Sequence, residues 1–304
     1  MKKFIIHCSV FGLIFIAIVI AFYLLTPVNH KNYLYEINHK FRLLDSVPSP
    51  RIIFVGGSNV AFGVDSKAIS DSLGINIINT GLHAGLGLKY QLESVVDRLK
   101  PGDIIVIMPE YEQFYNNFFG QDNVISQTVK CQSFRNIELM DFNQLVNIIK
   151  GAPKIAYSDL TGRNRIDSAY SSINFNEYGD EIHHRSKKRQ DKVQVFTINE
   201  EADEEVIETF SKKVNEIRSN GYKVIIFPPV TLEKKYAINK DKIDRLYHLM
   251  ENAGVPFQSK VEIHILPDTC AFDTEYHLSD EGVRLLTPRL VKEIRGIVPE
   301  LQQY

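Results

Sequence analysis

The chain has 304 residues, a formal net charge of −2, 44% apolar residues and 24% charged residues. This composition is typical of a globular protein with a sizeable core, and the length allows one large domain or two small ones. Because no basic excess is present, nothing in the charge balance points to a nucleic-acid partner.

A long apolar segment opens the chain. Residues 4–25 carry no formal charge, and at about 1.5 Å per residue a helix of this length can cross a hydrocarbon core of roughly 30 Å. Lys2 and Lys3 precede the segment, so the N-terminus should stay in the cytoplasm and the remaining chain should lie outside. The alternative is a cleaved signal peptide, whose apolar region is usually shorter and ends at small residues. Since no such cleavage pattern follows, we predict a single-pass membrane anchor over 1–27 and a linker over 28–49.

Strand and helix signals alternate after the linker. Short apolar runs rich in β-branched residues predict strands, and apolar residues at helical spacing predict helices. The strands are predicted at 51–57, 75–81 and 103–108, and the helices at 65–74 and 88–100. This rhythm is typical of a parallel sheet that helices cover on both faces.

The rhythm stops near residue 112 and resumes near residue 201. The intervening segment is polar, aromatic and irregular, with one helix predicted at 141–150. Beyond it, helices are predicted at 204–221, 241–254 and 279–294, and strands at 222–230 and 255–258. We therefore predict one α/β domain over 50–304, with three α/β/α layers and an inserted lid over 112–200, because long insertions between core elements are usually functional.

One short stretch, FVGGSNVAFG at 54–63, places Ser58 among glycines at the end of the first predicted strand. Glycine, asparagine and serine are also common turn residues, so a plain turn is the alternative to a nucleophile. In an open α/β sheet, ligands bind beyond the carboxyl ends of the strands. The loops that carry Gly81, Glu110 and His277 are predicted at that same edge, which would bring them within reach of Ser58.

Ser58, His277 and Asp273 are the three residue types of a nucleophilic triad. A serine hydroxyl needs an adjacent base to take its proton, and His277 can serve as that base. Asp273 can hold the other ring nitrogen of His277 if the residues between them form a turn. Glu275 is the poorer candidate for this carboxylate, because its position two residues before His277 suits the contact less well than the position of Asp273 four residues before it. Backbone N–H groups at Ser58 and Gly81 can hold a developing oxyanion.

Each of these residues also has a structural interpretation. His277 can cap or pack at the start of a helix, and Asp273 can be a solvated turn residue. Gly81 can occupy a turn that requires a positive φ. Glu110 and Tyr111 either form a wall of the site or tie the insertion to the core through a buried hydrogen bond.

No cofactor and no metal site are predicted. The glycines over 56–63 do not fit the G-x-G-x-x-G or P-loop patterns, which argues against a nucleotide site. His183 and His184 lack the spacing of metal ligands and are predicted in an exposed loop. Cys131 and Cys270 can be two unpaired, buried thiols or a disulfide, and the sequence leaves both open.

Three blocks of the chain, in this order, resemble those of the SGNH hydrolase superfamily, also called GDSL-like. The first is GGSN with Ser58, the second is NTGLHAGLG with Gly81, and the last is DTEYHLSDEG with its Asp and His. The resemblance covers roughly 50–111 and 204–295, and it implies an SGNH (flavodoxin-like) fold and a serine nucleophile. With the anchor and the MPEYEQF segment, the chain most resembles the membrane-anchored members found with polysaccharide and cell-envelope acylation systems.

Two features depart from the family pattern. The family's third block carries an Asn that donates to the oxyanion, but Glu110 and Tyr111 stand at that place here, so Asn59 is the candidate substitute. The last block of the family usually separates its Asp and His by two residues, and here three residues intervene. These departures bear on hydrolytic strength more than on fold.

The resemblance implies an extracytoplasmic serine acyl esterase or O-acyltransferase that acts on cell-envelope carbohydrate. The protein would be anchored in the cell membrane, with its catalytic domain on the periplasmic or cell-surface face, and its substrate would be an acylated glycan or a small acyl ester. The alternative is a weakly catalytic or non-catalytic partner of a multi-span membrane acyltransferase, which binds glycan or relays an acyl group.

Overall fold

The structure is a computed structural model that describes residues 1–135, 137–161, 170–193 and 195–303. Residue 136, residues 162–169 and residue 194 of the predicted insertion lie outside the described residues.

Helices and strands alternate along most of the chain. The α-helices are α1 (Lys2–Leu25), α2 (Ile37–Ser46), α3 (Ser58–Gly63), α4 (Ser66–Leu73), α5 (Leu88–Val96), α6 (Asp122–Cys131), α7 (Phe142–Leu160), α8 (Glu204–Ser219), α9 (Glu233–Asn252), α10 (Val261–His264) and α11 (Asp280–Ile297). The strands are β1 (Arg51–Gly56), β2 (Asn76–Asn79), β3 (Ile104–Met108), β4 (Lys223–Ile226), β5 (Thr231–Leu232) and β6 (Ile265–Leu266).

The central sheet has four parallel strands in the order β2-β1-β3-β4. In the register of this sheet, Ile53 of β1 lies opposite Ile78 of β2 and Ile105 of β3. Strands β5 and β6 form a separate parallel pair. The predicted mixed α/β class with a parallel sheet is therefore confirmed.

Both faces of the sheet are buried, and this explains why the sequences of its strands are apolar at nearly every position. Successive side chains of a strand point to opposite faces, and β1 shows this division clearly. Ile53 and Val55 pack with apolar residues of α5, α8 and α9, whereas Ile52 and Phe54 pack with those of α4 and α11. The carboxyl end of β1, which leads to Ser58, therefore emerges between two helical layers.

The ends of helices α4 and α11 are determined by residues close to them in sequence. Helix α4 is capped by Asp65, whose side chain accepts from the Ala68 N–H, and it ends at Gly74 in the left-handed region at φ 65°. Helix α11 is capped by Ser279, and it continues through Pro288 to Ile297. Both helices therefore begin at a polar side chain that accepts from a backbone N–H of the first turn.

Other predictions need correction. Residues 255–258 form no strand: Val255 and Phe257 are buried, but Pro256 has no N–H for a ladder, and the Gln258 N–H makes a single backbone hydrogen bond to Ile226. The helix expected at 241–254 begins earlier, at Glu233.

The predicted linker contains α2, which packs against the domain. Leu44 of α2 is fully buried. Arg51, at the start of β1, donates to the Leu44 carbonyl at 2.6 Å and to the Val47 carbonyl at 2.9 Å, and it forms a buried ion pair with Asp103 at 3.1 Å. Residues 28–49 are therefore attached to the amino end of the sheet and are not a free connection.

Helix α1 is long and apolar enough to cross a membrane. It has 24 residues, its most apolar window has a mean hydropathy of 2.8, and most of its surface is exposed. Tyr23, near its end, is buried against the insertion, where its hydroxyl donates to the Ser126 carbonyl at 2.5 Å.

We predict that Gly81→Ala destabilises the protein, whereas Gly63→Ala is tolerated. A Cβ at Gly81 would lie 2.5 Å from the Val60 Cβ and 2.7 Å from the Ala61 nitrogen, so the first turns of α3 would have to move. Overpacking of this kind costs about 1–3 kcal/mol of unfolding free energy. At Gly63 the nearest atom would be 3.7 Å away, an ordinary contact. Urea denaturation of the two variants measures the difference, and equal losses would contradict this account of the packing.

Candidate active site

Ser58 is the first residue of α3, directly after a turn of two glycines. A Cβ at Gly57 would lie 2.5 Å from Glu110 Oε1 and 3.0 Å from the Ala84 Cα. The turn therefore approaches the loops after β2 and β3 so closely that only glycine fits. This packing fixes Ser58 at the carboxyl edge of the sheet, where ligands of such sheets bind.

His277 packs on α3, the helix that begins at Ser58. Its ring stacks on Phe62 with 4.1 Å between centroids and 12° between planes. Phe62 follows Ser58 by four residues on α3, and residues at this spacing are neighbours on one helix face. The stacking partner of His277 thus shares a helix face with Ser58, although no hydrogen bond joins Ser58 and His277 in the described part of the chain.

Asp273 holds one nitrogen of the His277 ring. The distance from His277 Nδ1 to Asp273 Oδ1 is 2.8 Å. Burial raises the pKa of the Asp273 carboxyl, but the hydrogen bond and charge of His277, together with the Tyr170 hydroxyl, outweigh burial and lower the pKa below its ordinary value. An ionised Asp273 keeps a proton on Nδ1 and leaves Nε2 as the acceptor.

Glu275 faces away from His277. Its carboxylate pairs with the buried Lys235 at 2.7 Å and accepts from the Phe196 N–H at 2.8 Å. Lys235 also pairs with Glu112, whose other oxygen accepts from the Tyr276 hydroxyl at 2.6 Å. Glu275 thus belongs to a buried network that ties the loop after β3 to the loop before α11.

Glu110 contacts the candidate nucleophile directly. Its Oε1 accepts from the Ser58 hydroxyl and from the Asn59 N–H, each at 3.2 Å. Burial raises the pKa of Glu110 to about 7, and the charge of Glu112 adds to this effect, while the hydrogen bonds from Asn59 and Ser58 oppose it. Glu110 is therefore part of the site, and near neutral pH it exists in both protonation states.

Tyr111 is a core residue. Its side chain is fully buried and packs in the apolar layer formed by α5, α8 and α9. Its backbone N–H donates to the Tyr276 hydroxyl at 3.3 Å. This hydrogen bond joins the loop after β3 to the loop before α11, and both residues lie outside the predicted insertion.

Of the three groups expected to donate to an oxyanion, those of Gly81 and Asn59 already donate to other acceptors. The Gly81 N–H donates to Asn79 Oδ1 at 2.9 Å. The Asn59 side chain turns into the core and donates to the Met108 carbonyl at 2.9 Å. The Ser58 N–H, at the first position of α3, has no intrahelical partner and remains a donor toward the site.

His83 is a site residue that the sequence pattern did not single out. Its Nδ1 accepts from the Gly85 N–H at 2.9 Å, so the neutral ring carries its proton on Nε2. Burial lowers the pKa of His83 to about 4, and the nearby His277 contributes in the same direction. A neutral imidazole with a proton on Nε2 therefore lies in the loop after β2, near enough to His277 for their charges to interact. The sequence signal that could have identified His83 is its position in the segment NTGLHAGLG.

The insertion also contributes a residue to the site. The Tyr170 hydroxyl donates to Asp273 Oδ2 at 2.6 Å and lies 3.0 Å from His277 Nδ1. Its ring also packs near Phe62, with 5.7 Å between centroids. No local pattern around Tyr170 indicates this role, because the contact joins segments more than a hundred residues apart in sequence.

The expectation of an exposed loop holds for His183 and is wrong for His184. The His184 ring is buried, contacts the Glu181 carboxylate through Nδ1, and lies 2.8 Å from the Leu278 carbonyl through Nε2. Hydrogen bonds at both ring nitrogens explain how this histidine is accommodated in the interior.

No metal cluster is present in the described ranges: no group of three or more His, Cys, Asp or Glu side chains could hold an ion there. Cys8, Cys131 and Cys270 are all free, and the last two are buried. Comparison with family models, with curated proteins and with solved structures gives no match.

We predict that Glu110→Gln changes the pH dependence of stability. The raised pKa means that the contribution of Glu110 to stability is fully present below about pH 4.5, the ordinary value, and is lost as the pH rises through about 7. A difference of this size corresponds to roughly 3 kcal/mol. The unfolding free energy of Glu110→Gln should therefore rise relative to wild type by up to that amount between about pH 5 and pH 8.

Urea denaturation at several pH values measures this difference. Glu251→Gln, a substitution at an exposed carboxylate near the end of α9, is the matched control. If the curves for wild type and Glu110→Gln run parallel across the range, Glu110 does not bind a proton more tightly in the folded state.

Proposed function

We propose that this protein is an extracytoplasmic serine acyl esterase or O-acyltransferase that acts on cell-envelope carbohydrate. The observation that carries the proposal is the pairing of His277 with Asp273 against the helix of Ser58: the His277 ring stacks on Phe62 of α3, the helix that begins at Ser58, and His277 Nδ1 lies 2.8 Å from Asp273 Oδ1. This arrangement leaves Nε2 as an acceptor for the serine proton.

The fold supports the same proposal. A parallel sheet with the order β2-β1-β3-β4, buried on both faces, is compatible with a three-layer SGNH-type domain. Ser58 after β1, the Gly81 loop after β2 and the loop of Asp273 and His277 before α11 occur in the family's block order. We propose the SGNH assignment on this basis.

The proposed reaction begins when the Ser58 hydroxyl turns from Glu110 to His277 Nε2. As Oγ attacks the acyl carbonyl carbon, its proton passes to Nε2, and an oxyanion forms on the carbonyl oxygen. Collapse of this adduct breaks the bond to the leaving oxygen, which takes the proton back from His277. Water, in hydrolysis, or a glycan hydroxyl, in transfer, then attacks the acyl carbon while its proton passes to His277 Nε2. The bond from the acyl carbon to Ser58 Oγ breaks, and Oγ takes that proton back.

Two donors are proposed for the oxyanion. The Ser58 N–H lies at the start of α3 without an intrahelical partner. The neutral His83 ring has its Nε2 proton to donate, as a histidine of low pKa can in a carbonyl-polarising role. Together they would replace the Gly81 and Asn59 donors, which are used elsewhere.

The location outside the cytoplasm is part of the proposal. It rests on α1, which is long and apolar enough to cross a membrane, and on Lys2 and Lys3, which should remain on the cytoplasmic side. No cofactor is required for the proposed acyl transfer.

A second candidate function has its own supporting observation. The Ser58 hydroxyl donates to Glu110 instead of His277, and the Gly81 N–H is occupied. Such a site is compatible with a weakly catalytic or non-catalytic partner of a multi-span membrane acyltransferase, which would bind glycan or relay an acyl group.

We expect a serine-reactive fluorophosphonate to label the wild-type protein and not Ser58→Ala. An activated serine should react at least about a hundredfold faster than an unactivated one. Ser72→Ala, which removes a hydroxyl from the neighbouring helix α4, is the matched control and should label like wild type. Equal labelling of wild type and Ser58→Ala would remove Ser58 as nucleophile, and a folded wild type that does not label would favour the non-catalytic partner.

The two carboxylates near His277 should differ sharply when substituted. Asp273→Asn favours the wrong tautomer of His277 and should lower kcat/KM on a p-nitrophenyl acyl ester by about 10³–10⁴. Glu275→Gln leaves the His277 contact intact and should change kcat/KM much less per folded molecule, although it breaks a buried ion pair with Lys235 and should lower stability. The reverse ranking would mean that Glu275 and not Asp273 supports the base.

A further inference from the structure

Helix α7 carries an apolar stripe on its exposed face. Exposed apolar side chains recur every third or fourth residue along one side of the helix, so they share a face. They are Phe142, Leu145, Ile149, Pro153, Tyr157 and Leu160. Phe142 is 78% exposed, Ile149 64% and Leu160 58%, which is unusual for large apolar side chains at this spacing.

The opposite face of α7 is well packed, so the stripe is not the result of a loosely attached helix. Ile148, Ala152 and Ile155 are buried. Gly151 lies so close to α6 that a Cβ there would be 2.3 Å from the Asp122 carbonyl oxygen. Helix α7 is therefore fixed on α6 with its apolar stripe directed outward.

Helix α7 also packs against α1. An open apolar cleft of about 270 Å³ lies between them, lined by Phe15, Val19 and Tyr23 of α1 and by Ile149 and Pro153 of α7, among others. At the end of this contact, the Lys130 ammonium binds both the Thr26 hydroxyl and the Asp159 carboxylate. These contacts determine the position of α7 along the axis of α1.

This position places α7 beside the half of α1 that is nearer the folded domain, which is the outer half of the bilayer in the proposed orientation. The contact uses residues 15–24 of α1, the half nearer the folded domain. At about 1.5 Å per residue this half covers roughly 15 Å of a hydrocarbon core that is about 30 Å thick. A helix that lies beside these residues shares their depth. Lys150 and Lys154, exposed next to the stripe, can extend their ammonium groups toward lipid headgroups.

We propose that α7 is a second membrane-contacting element, with its apolar stripe in contact with the acyl chains of the outer leaflet beside α1. The proposal rests on the transmembrane assignment of α1 and is independent of the chemistry at Ser58. Its occupant is bilayer lipid, because the stripe continues the lipid-facing surface of α1 and is flanked by lysines, as in amphipathic helices that lie in the interface.

The chain contains no tryptophan, so a single introduced tryptophan is an unambiguous fluorescent reporter. The full chain would be reconstituted into phosphatidylcholine vesicles that contain lipids brominated on the acyl chains, which quench nearby tryptophan. Emission of Ile149→Trp should fall at least about twofold relative to vesicles without bromine, as expected for an immersed helix face. Phe11→Trp on α1 should be quenched similarly, and Ile238→Trp, at a 46% exposed position on α9, should not be quenched.

Quenching of Phe11→Trp without quenching of Ile149→Trp would overturn the proposal, and it would indicate that protein covers the stripe or that α7 stands clear of the bilayer. Absence of quenching at both positions would overturn the proposal together with the transmembrane assignment of α1. Tyr157→Trp, at a 54% exposed position of the same stripe, repeats the test if Ile149→Trp fails to fold. Fluorophosphonate labelling at Ser58 is measured separately, so failure of the proposed reaction would be recognised as a different result.

Discussion

The close approach of three loops at the carboxyl edge of the sheet is the constraint on which the site depends. The turn after β1 passes so near the loops after β2 and β3 that a side chain at Gly57 would meet Glu110 and Ala84. Gly81 is held against Val60 in the same way, so helix α3 cannot shift outward or inward. Ser58 starts that helix, so its position is set by backbone packing and not by a hydrogen bond to His277.

In the proposed reaction, Glu110 and His277 compete for the Ser58 proton. In the structure the Ser58 hydroxyl donates to Glu110 at 3.2 Å, while the His277 ring stacks on Phe62 of the same helix. In that reaction, a charged Glu110 would hold the Ser58 hydroxyl more strongly than a neutral Glu110 and would repel a developing oxyanion. Burial raises the pKa of Glu110 to about 7, so near neutral pH the ratio of its charged to its neutral form depends on the polarity of any ligand that binds beside it. An acyl group that displaces water would deepen the burial and favour the neutral form.

Local features of this protein were predictable from sequence, and contacts between distant segments were not. The cap and stop of α4 at Asp65 and Gly74 depend on neighbouring residues, and so does the pairing of Asp273 with His277 across one turn. The use of the Gly81 N–H by Asn79 depends on a side-chain rotamer that the family pattern does not specify.

Tyr170 shows the limit of such prediction more fully. It reaches Asp273 and His277 from the insertion, and the sequence supplies no spacing rule for a contact between segments so far apart. The burial of His184 has the same cause, because the Glu181 and Leu278 partners that accommodate its ring are brought together by the fold. Helix α2 was missed for a related reason: its buried Leu44 is recognisable as core only once the end of the sheet beside it is known.

The insertion connects the apolar helices with the site. Helix α6 carries α7 on one side, and at its start the Gln121 N–H donates to the Gly85 carbonyl at 2.7 Å. Gly85 in turn donates to His83, the neutral histidine in the loop after β2. A chain of packed elements therefore runs from α1 through α7 and α6 to this loop, whose Ala84 packs against the Gly57 turn before Ser58. Under the proposed function, these contacts would hold Ser58 at a defined distance from the membrane in which α1 lies.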